Sequence, residues 1–433
     1  MRERHVPGLA YAVIRDGRVV RQGSFGLANV ELRVPVTPHT SFEIASMSKQ
    51  FAAAAVLLLV EDGRIGLDDS VTRYLPDAPP AWRAITIRRL LDHTSGLPDD
   101  FDEDDAYFQT RITHADFLHS LEAAPLRFEP GTAFRYSCGP FVAGLVVEAV
   151  TGRPYRAFFA DRIARLLGLA ETSVNDASAL VPQRAAGYDL HGDTLVNGRR
   201  ISAAAESRAD VGVRTTLHDL VRWDAALSTP GFLRRQSLDA MFGPSTIRSG
   251  RVVPYALGWF ITPWRGHRVA GHGGAFRTGY SSEIDRYLDD DLTIIVLTNL
   301  RAAHPYVIAR LIASHFLAGC EPIRGLRARI DVHPRRTAGV RAVMDSLARG
   351  ALDPEALAGR YHEAFDTGDE LREALRGLRA VTYVDSVAMK RPAPNLYGSM
   401  IAWTGLYRVD AEVESDWSVA FTRDGSIVAI ERE

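Results

Sequence analysis

Hydrophobic and polar positions alternate in two segments near the start of the chain, residues 9–14 and 19–28. Both segments are rich in β-branched residues, and Asp16-Gly17 lies between them. Alternation of this kind is typical of a strand with one buried face, and Asp-Gly suits a tight two-residue turn. The pattern therefore predicts an antiparallel hairpin.

The pattern then becomes helical. Residues 51–60 (FAAAAVLLLV) form the longest apolar run, inside a helix predicted over 46–61. Ten apolar residues are too few to span a bilayer, so this segment is expected to be a core helix. Further helices are predicted over 86–91, 113–122, 139–151, 155–166, from a cap at Thr215 or Thr216 to about Leu227, and over 304–317.

Strand patterns return late in this region, at 256–262, 268–271, 278–285 and 292–299. Strands at both ends with helices between them predict a mixed α+β domain over 1–320. In it, the N-terminal hairpin is expected to join the late strands in a single antiparallel sheet flanked by helices.

The remainder of the chain predicts a second, smaller α+β unit. Residues 321–339 are rich in Arg, Pro and Gly and suggest a linker, and 340–433 form the accessory module. Helices are predicted over 340–349 and 369–378, and strands over 380–388, 398–411, 417–423 and 426–432. The module suits ligand binding, a cover over the site or homodimerisation, and its sequence does not choose among these.

The composition of the 433 residues excludes several classes of protein. A net charge of −2 argues against nucleic acid or an anionic membrane as a partner. Cys138 and Cys320 are too few for a disulfide framework, and the histidines show no HExxH or comparable metal spacing. The start, MRERHVPGLA, has no apolar signal region. We therefore expect a cytoplasmic protein, or a periplasmic or secreted one if the N-terminus is incomplete.

Lysine is almost absent from the chain. Of the 51 basic residues only Lys49 and Lys390 are lysines. Arginine stays protonated in proteins, whereas a lysine can lose its proton and act as a base when burial and neighbouring charge lower its pKa. The retained Lys49 therefore indicates a position that needs a group able to lose its proton, which a guanidinium does not do. The simpler interpretation is that Lys49 is a surface residue without a catalytic role.

Lys49 follows Ser46 by three residues, in the sequence Ser-Met-Ser-Lys. Residues three apart on a helix lie on one face and can touch. A serine hydroxyl becomes a good nucleophile when a nearby base takes its proton, and a helix N-terminus favours developing negative charge. Ser46 and Lys49 are therefore candidate catalytic residues.

Two further motifs accompany this pair, Tyr136-Ser137-Cys138 and His272-Gly273-Gly274. With these motifs the chain resembles the serine β-lactamase and penicillin-binding-protein superfamily over about residues 5–320. The nearest group is that of class C β-lactamases, D-aminopeptidases and family VIII esterases, or S12-type serine hydrolases. Supporting stretches are VPGLAYAVIRDG, FEIASMSKQFAAAAVLLLVEDGRIGLDDSVTRYLP and LLDHTSGLP.

The resemblance implies a β-lactamase-like fold and a set of roles. Ser46 would be acylated, Lys49 would activate it, and Tyr136 would relay the proton as a phenolate or through hydrogen bonds. His272, the fourth catalytic residue that the resemblance implies, takes the place of the lysine in the family's KTG motif and supplies a group that titrates near neutrality. The backbone N–H groups of Ser46 and Ala275 would form the oxyanion hole.

The same resemblance implies a substrate-binding surface on the strand that carries His272. Gly273 and Gly274 allow the substrate to approach the strand edge closely. Arg277 is a candidate for holding a substrate carboxylate, with a surface role equally open. The substrate would be a small molecule or a short peptide, and the reaction needs no metal or cofactor.

The chain departs from the family at Cys138, a predicted substrate-binding position where the family usually has an Asn that helps hold the substrate amide. A thiol is a weak donor and a weak acceptor in place of an amide. Together with HGG in place of KTG, this favours an esterase. A D-aminopeptidase, a D,D-peptidase or a β-lactamase is the alternative, and a catalytically weak binding or scaffold protein is the alternative of another class.

Three other features receive plainer interpretations. His93 is expected to order a loop beside turn residues, and the acidic run at 99–105 to be a solvated loop, although it could attract a cationic substrate. Cys138 itself is expected to be a small buried residue rather than a second nucleophile. The accessory module weakly resembles cystatin-like or lipocalin-like tails.

Overall fold

The computed structural model describes residues 5–98, 113–351, 372–394 and 400–432. The strands are β1 (Gly8–Arg15), β2 (Arg18–Asn29), β3 (Val34–Pro35), β4 (Phe42–Glu43), β5 (Ser173–Val174), β6 (Tyr188–His191), β7 (Thr194–Asn197), β8 (Val213–Thr215), β9 (Phe260–Trp264), β10 (His267–Phe276), β11 (Tyr280–Tyr287), β12 (Leu292–Thr298), β13 (Ala380–Pro394), β14 (Met400–Asp410), β15 (Ser415–Phe421) and β16 (Ile427–Arg432). The helices are α1 (Ser48–Glu61), α2 (Ile87–Leu91), α3 (His114–Ala123), α4 (Gly139–Thr151), α5 (Tyr155–Phe159), α6 (Arg165–Leu167), α7 (Ala203–Glu206), α8 (Leu217–Ser228), α9 (Arg235–Phe242), α10 (Pro305–Ala313) and α11 (Pro334–Ala348).

A seven-stranded sheet in the order β3-β2-β1-β12-β11-β10-β9 is the centre of the first region. Strand β1 pairs antiparallel with both β2 and β12, and Leu9 lies opposite Thr298. Every residue of β12 is buried, as expected for a central strand. The N-terminal hairpin therefore joins the late strands in one antiparallel sheet, which confirms the prediction from the sequence.

Helix α1 is buried along almost its whole length, from Ser48 to Leu59. A helix that is apolar on all sides belongs inside a protein, and α1 packs with one face of the sheet through residues such as Ile284 and Ile295. Helix α10 covers the opposite face, against Val296. None of the described helices combines the length and hydrophobicity needed to cross a bilayer.

A second, three-stranded sheet has the order β4-β8-β5 and leads directly to the predicted site. Phe42 lies opposite Thr215, and Ser173 lies opposite Arg214. Because both pairings are antiparallel, the first residues of β4 and β5 meet the last residues of β8 at one end of this sheet. Ser46 follows the other end of β4.

The C-terminal residues form a four-stranded antiparallel sheet, β13-β14-β15-β16, with α11 packed on it. Val340 and Met344 of α11 contact a core that includes Trp417. This unit lies against the turn between β9 and β10, where Gly266 approaches Val387.

Several boundaries differ from the sequence predictions, and β10 extends to Phe276, beyond its predicted end at 271. Helix α11 begins at Pro334, inside the predicted linker, because a proline fits the first helical turn, where its missing N–H costs no hydrogen bond. Strand β9 begins at Phe260, four residues after the predicted start at 256. The helix predicted over 369–378 lies partly outside the described residues.

Candidate active site

Ser46 lies in a short 3-10 turn, Ala45–Met47, between β4 and α1. Ala45 has φ of +44°, a left-handed conformation that costs a non-glycine residue roughly 1–2 kcal/mol. The Ser282 hydroxyl donates to the Ile44 carbonyl at 3.0 Å and holds this turn against β11. Ser46 is only partly buried, so the turn presents its hydroxyl at the head of α1.

Lys49 lies one turn further along and reaches back to Ser46. Its Nζ is 3.1 Å from Ser46 Oγ and donates to the Asp210 carbonyl at 3.3 Å. Only 2% of Lys49 is exposed, and its Nζ lies 4.8 Å from the centre of the Tyr136 ring. The structure thus brings together three of the residues named from the sequence: Ser46, Lys49 and Tyr136.

The carboxylate of Asp210 is the acidic group beside Lys49, with Oδ2 3.9 Å from Nζ. Arg208 binds the same carboxylate through two hydrogen bonds of 3.0 and 2.7 Å. The Arg208 guanidinium is fully buried and stacks 4.9 Å from the centre of the Phe141 ring. One buried carboxylate therefore faces two basic side chains at the site.

Neither Arg208 nor Asp210 was predicted from the sequence. Asp210 is 161 positions from Lys49 along the chain. A short Arg-Ala-Asp sequence has no distinctive spacing or composition, so it contains no signal that could have identified the pair before the fold was known.

Aromatic side chains surround Tyr136. Its ring stacks on Phe260 at 5.8 Å between centroids and lies 4.3 Å from the His93 ring. His93 is buried, and its Nδ1 accepts the backbone N–H of Ser137 at 3.1 Å. His93 thus orders the segment that carries Tyr136, in agreement with its expected loop-ordering role.

His272 is buried beneath this aromatic group rather than open to solvent. Its Nδ1 lies 2.6 Å from the Gly273 carbonyl, which can only accept, so Nδ1 bears a proton. Its Nε2 lies 2.9 Å from the Tyr255 hydroxyl. Burial raises the pKa of Tyr255 well above its ordinary value, so this hydroxyl stays protonated beside His272.

Steric constraints explain the glycines around His272, and the constraint differs from one position to the next. A Cβ at Gly274 would lie 2.1 Å from the Ile44 carbonyl oxygen, so β10 runs directly beside the turn that carries Ser46. Ala275 follows on this strand and is exposed. The backbone amides of Ser46 and Ala275 thus lie on adjacent segments, as the predicted oxyanion hole requires.

Gly271 and Gly273 accommodate two acids on the other face of the strand. A Cβ at these positions would lie 2.4 Å from Asp285 Oδ1 and 2.7 Å from Glu283 Oε2. Burial, with a contribution from mutual repulsion, raises the pKa of Glu283 well above its usual range. Burial raises the pKa of Asp285 as well, to about 6. Glu283 and Asp285 therefore lie on the face of β10 opposite to the side chain of His272.

The other predicted substrate-binding residues, Cys138 and Arg277, differ in how deeply they are buried. Cys138 is 1% exposed, and its thiol donates to the Pro98 carbonyl at 3.4 Å. Arg277 is half-buried in the turn after β10, and its carbonyl accepts the backbone N–H of Arg199. The acidic run at 99–105 lies outside the described residues.

Residues 1–318 match the protein-family model described as Beta-lactamase. The chain belongs to the beta-lactamase family. A relative, Penicillin-binding protein 4* of Bacillus subtilis (strain 168), is 32% identical over 337 residues, which are 73% of this chain and 74% of that protein. Protein flp of Staphylococcus aureus (strain MW2) is 28% identical over 69% of this chain, and the match spans 61% of its own length.

Solved structures that are similar to this family member include a penicillin-binding protein and an amidase. The penicillin binding protein from Bacillus halodurans superposes with a TM-score of 0.62 at 28% identity, over 72% of this chain and 97% of that one. The D-amino acid amidase from Ochrobactrum anthropi SV3 has a TM-score of 0.61 at 25% identity, over 69% and 87%. These similarities confirm the predicted family and the predicted fold class.

Proposed function

We propose that this protein is a serine hydrolase that forms an acyl-enzyme on Ser46 and cleaves ester or amide bonds of small substrates. The distance of 3.1 Å between Lys49 Nζ and Ser46 Oγ carries the proposal. A neutral amine at this distance accepts the hydroxyl proton while Oγ attacks the substrate carbonyl. Water then cleaves the acyl-enzyme and releases the acid.

The surrounding groups support the charge changes of this reaction. The backbone amides of Ser46 and Ala275 would stabilise the oxyanion, and Tyr136, whose ring lies against Lys49 Nζ, would relay the proton to the leaving group. Because both ring nitrogens of His272 already bond within the protein, we propose that it positions Tyr255 and β10 rather than taking a proton from the substrate.

Covalent labelling tests whether Ser46 is the nucleophile that the acyl-enzyme requires. Intact-mass spectrometry after treatment with a fluorophosphonate should show one adduct, and peptide mapping should locate it on Ser46. Ser46→Ala should show none, while Ser249→Ala, a change at an exposed serine, should be labelled like the wild type. An unlabelled wild type, or an equal adduct on Ser46→Ala, would falsify the proposal.

Esters are the favoured substrates within this proposal. The Cys138 thiol is buried against the Pro98 carbonyl and does not supply the donors and acceptor of an amide side chain. One lost hydrogen bond of ~1–1.5 kcal/mol corresponds to about tenfold in rate. We therefore expect kcat/KM for a p-nitrophenyl ester to exceed that for benzylpenicillin by about tenfold or more. Comparable or faster turnover of the penicillin would contradict this preference.

Hydrolysis of D-amino-acid amides is the second candidate. It is favoured by the similarity to the D-amino acid amidase, at a TM-score of 0.61 over 69% of this chain. D-phenylalanine amide in the same substrate panel decides between the two, because it should be turned over faster than the ester if the protein is an amidase. Labelling of Ser46 without turnover of any of these substrates would favour a binding or scaffold protein.

A further inference from the structure

Three side chains with metal-ligating atoms meet at the end of the small sheet that is remote from Ser46. His39 precedes β4, Glu171 precedes β5, and His218 follows β8. The antiparallel order β4-β8-β5 brings these three positions to the same end of the sheet. One ligand atom from each of the three side chains lies within 4.8 Å of the others.

The Glu171 carboxylate lies between the two histidines. Its Oε2 is 3.0 Å from His39 Nδ1 and 3.8 Å from His218 Nδ1. The two imidazole rings are 4.9 Å apart between centroids and tilted by 39°. A tetrahedral zinc ion at its usual bond lengths of about 2.0–2.2 Å holds its ligand atoms roughly 3.4 Å apart, so small rotations of the rings would close the site.

Neighbouring hydrogen bonds hold these residues in place. The Thr216 hydroxyl donates to Glu171 Oε2 at 3.0 Å, and the buried Asp219 carboxylate accepts the Glu171 backbone N–H at 2.7 Å. The His218 backbone N–H donates to the Pro38 carbonyl at 3.1 Å, which ties the loop before β4 to α8. Supporting contacts of this kind orient ligands in metal sites.

The chemistry of the ligands indicates the class of metal. Two imidazoles and one carboxylate suit zinc and the neighbouring divalent transition metals better than calcium or magnesium, which prefer oxygen ligands alone. The side chains of His39, Glu171 and His218 are 47%, 33% and 41% exposed. Water can therefore reach the ion and occupy its remaining coordination positions.

We propose that His39, Glu171 and His218 form a surface site for one divalent transition-metal ion, with zinc as the preferred occupant. The ion would join three segments that are distant in sequence and would brace the small sheet from which the chain continues to Ser46. The site is separate from the proposed acyl-enzyme chemistry, which requires no metal.

Titration of the full-length protein with Co²⁺ and Zn²⁺ tests the proposal. We expect one ion per chain by calorimetry, visible d–d absorption of bound Co²⁺, and a Tm that rises with added Zn²⁺. Added acid should weaken binding, because protons compete with the metal ion for the imidazole nitrogens. Ser46→Ala should bind the metal like the wild type, so failure of this proposal is distinguishable from failure of the acyl-enzyme.

Variants of the ligands decide whether the site is the one proposed. His39→Ala and His218→Ala should each weaken binding by about 100-fold or more, since even the loss of a supporting contact costs 10–100-fold. His119→Ala is the matched control, because His119 forms an exposed 3.3 Å pair with Glu122 that contains only one histidine. Unchanged affinity in both ligand variants, or no binding by the wild type, overturns the proposal.

Discussion

Lys49→Arg is expected to fold and to lower the acylation rate of Ser46 by about 10²–10⁴-fold. Lys49 Nζ lies 3.1 Å from Ser46 Oγ in a buried site, where it can take the hydroxyl proton. A guanidinium keeps the positive charge but does not lose its proton under protein conditions. General-base catalysis contributes a factor of about 10²–10⁴ to a reaction rate, so most of the acylation rate depends on this proton transfer. Stopped-flow labelling by the fluorophosphonate measures the nucleophilic reactivity of Ser46 that depends on this base.

The matched control is Lys390→Arg, which changes the only other lysine of the chain. This control should label and turn over substrate at the wild-type rate. Far-UV circular dichroism and the Tm establish that Lys49→Arg is folded, because a larger side chain in a packed site costs about 1–3 kcal/mol. Wild-type turnover by Lys49→Arg would remove Lys49 from the mechanism.

The largest expected effect on stability comes from Asp210→Ala. The Asp210 carboxylate makes two hydrogen bonds of 3.0 and 2.7 Å with Arg208, and both side chains are almost completely buried. Removing one member of a buried ion pair leaves the other charge uncompensated and costs about 3–5 kcal/mol. We therefore expect the free energy of unfolding, measured by urea denaturation, to fall by this amount.

An exposed pair provides the comparison. Asp161 lies 2.5 Å from Arg153, with 41% of the aspartate side chain exposed. Solvent weakens such a pair, so Asp161→Ala should lower the free energy of unfolding far less than Asp210→Ala does. If Asp210→Ala costs as little as Asp161→Ala, Asp210 does not stabilise the buried charges of the site.

Local patterns were sufficient for many elements of this protein. The hairpin around Asp16-Gly17 was predictable because strand alternation and turn residues are properties of neighbouring positions. Helix α4 matches its predicted bounds because an apolar run with Pro at its start and Gly after its end defines a helix locally. The contact between Ser46 and Lys49 was predictable for the same reason, since a separation of three residues places both on one helix face.

Contacts between distant segments depended on the tertiary structure. The sequence by itself determined the family, the fold class and the serine–lysine pair, because motifs that occur in order along the chain can be recognised without a structure. Only the packed sheets placed Asp210 beside Lys49, turned His272 inward to Tyr255, and gathered His39, Glu171 and His218 at one end of β4-β8-β5. Strand order and register decide which distant residues meet. Neither is determined by the residues that neighbour them in the sequence.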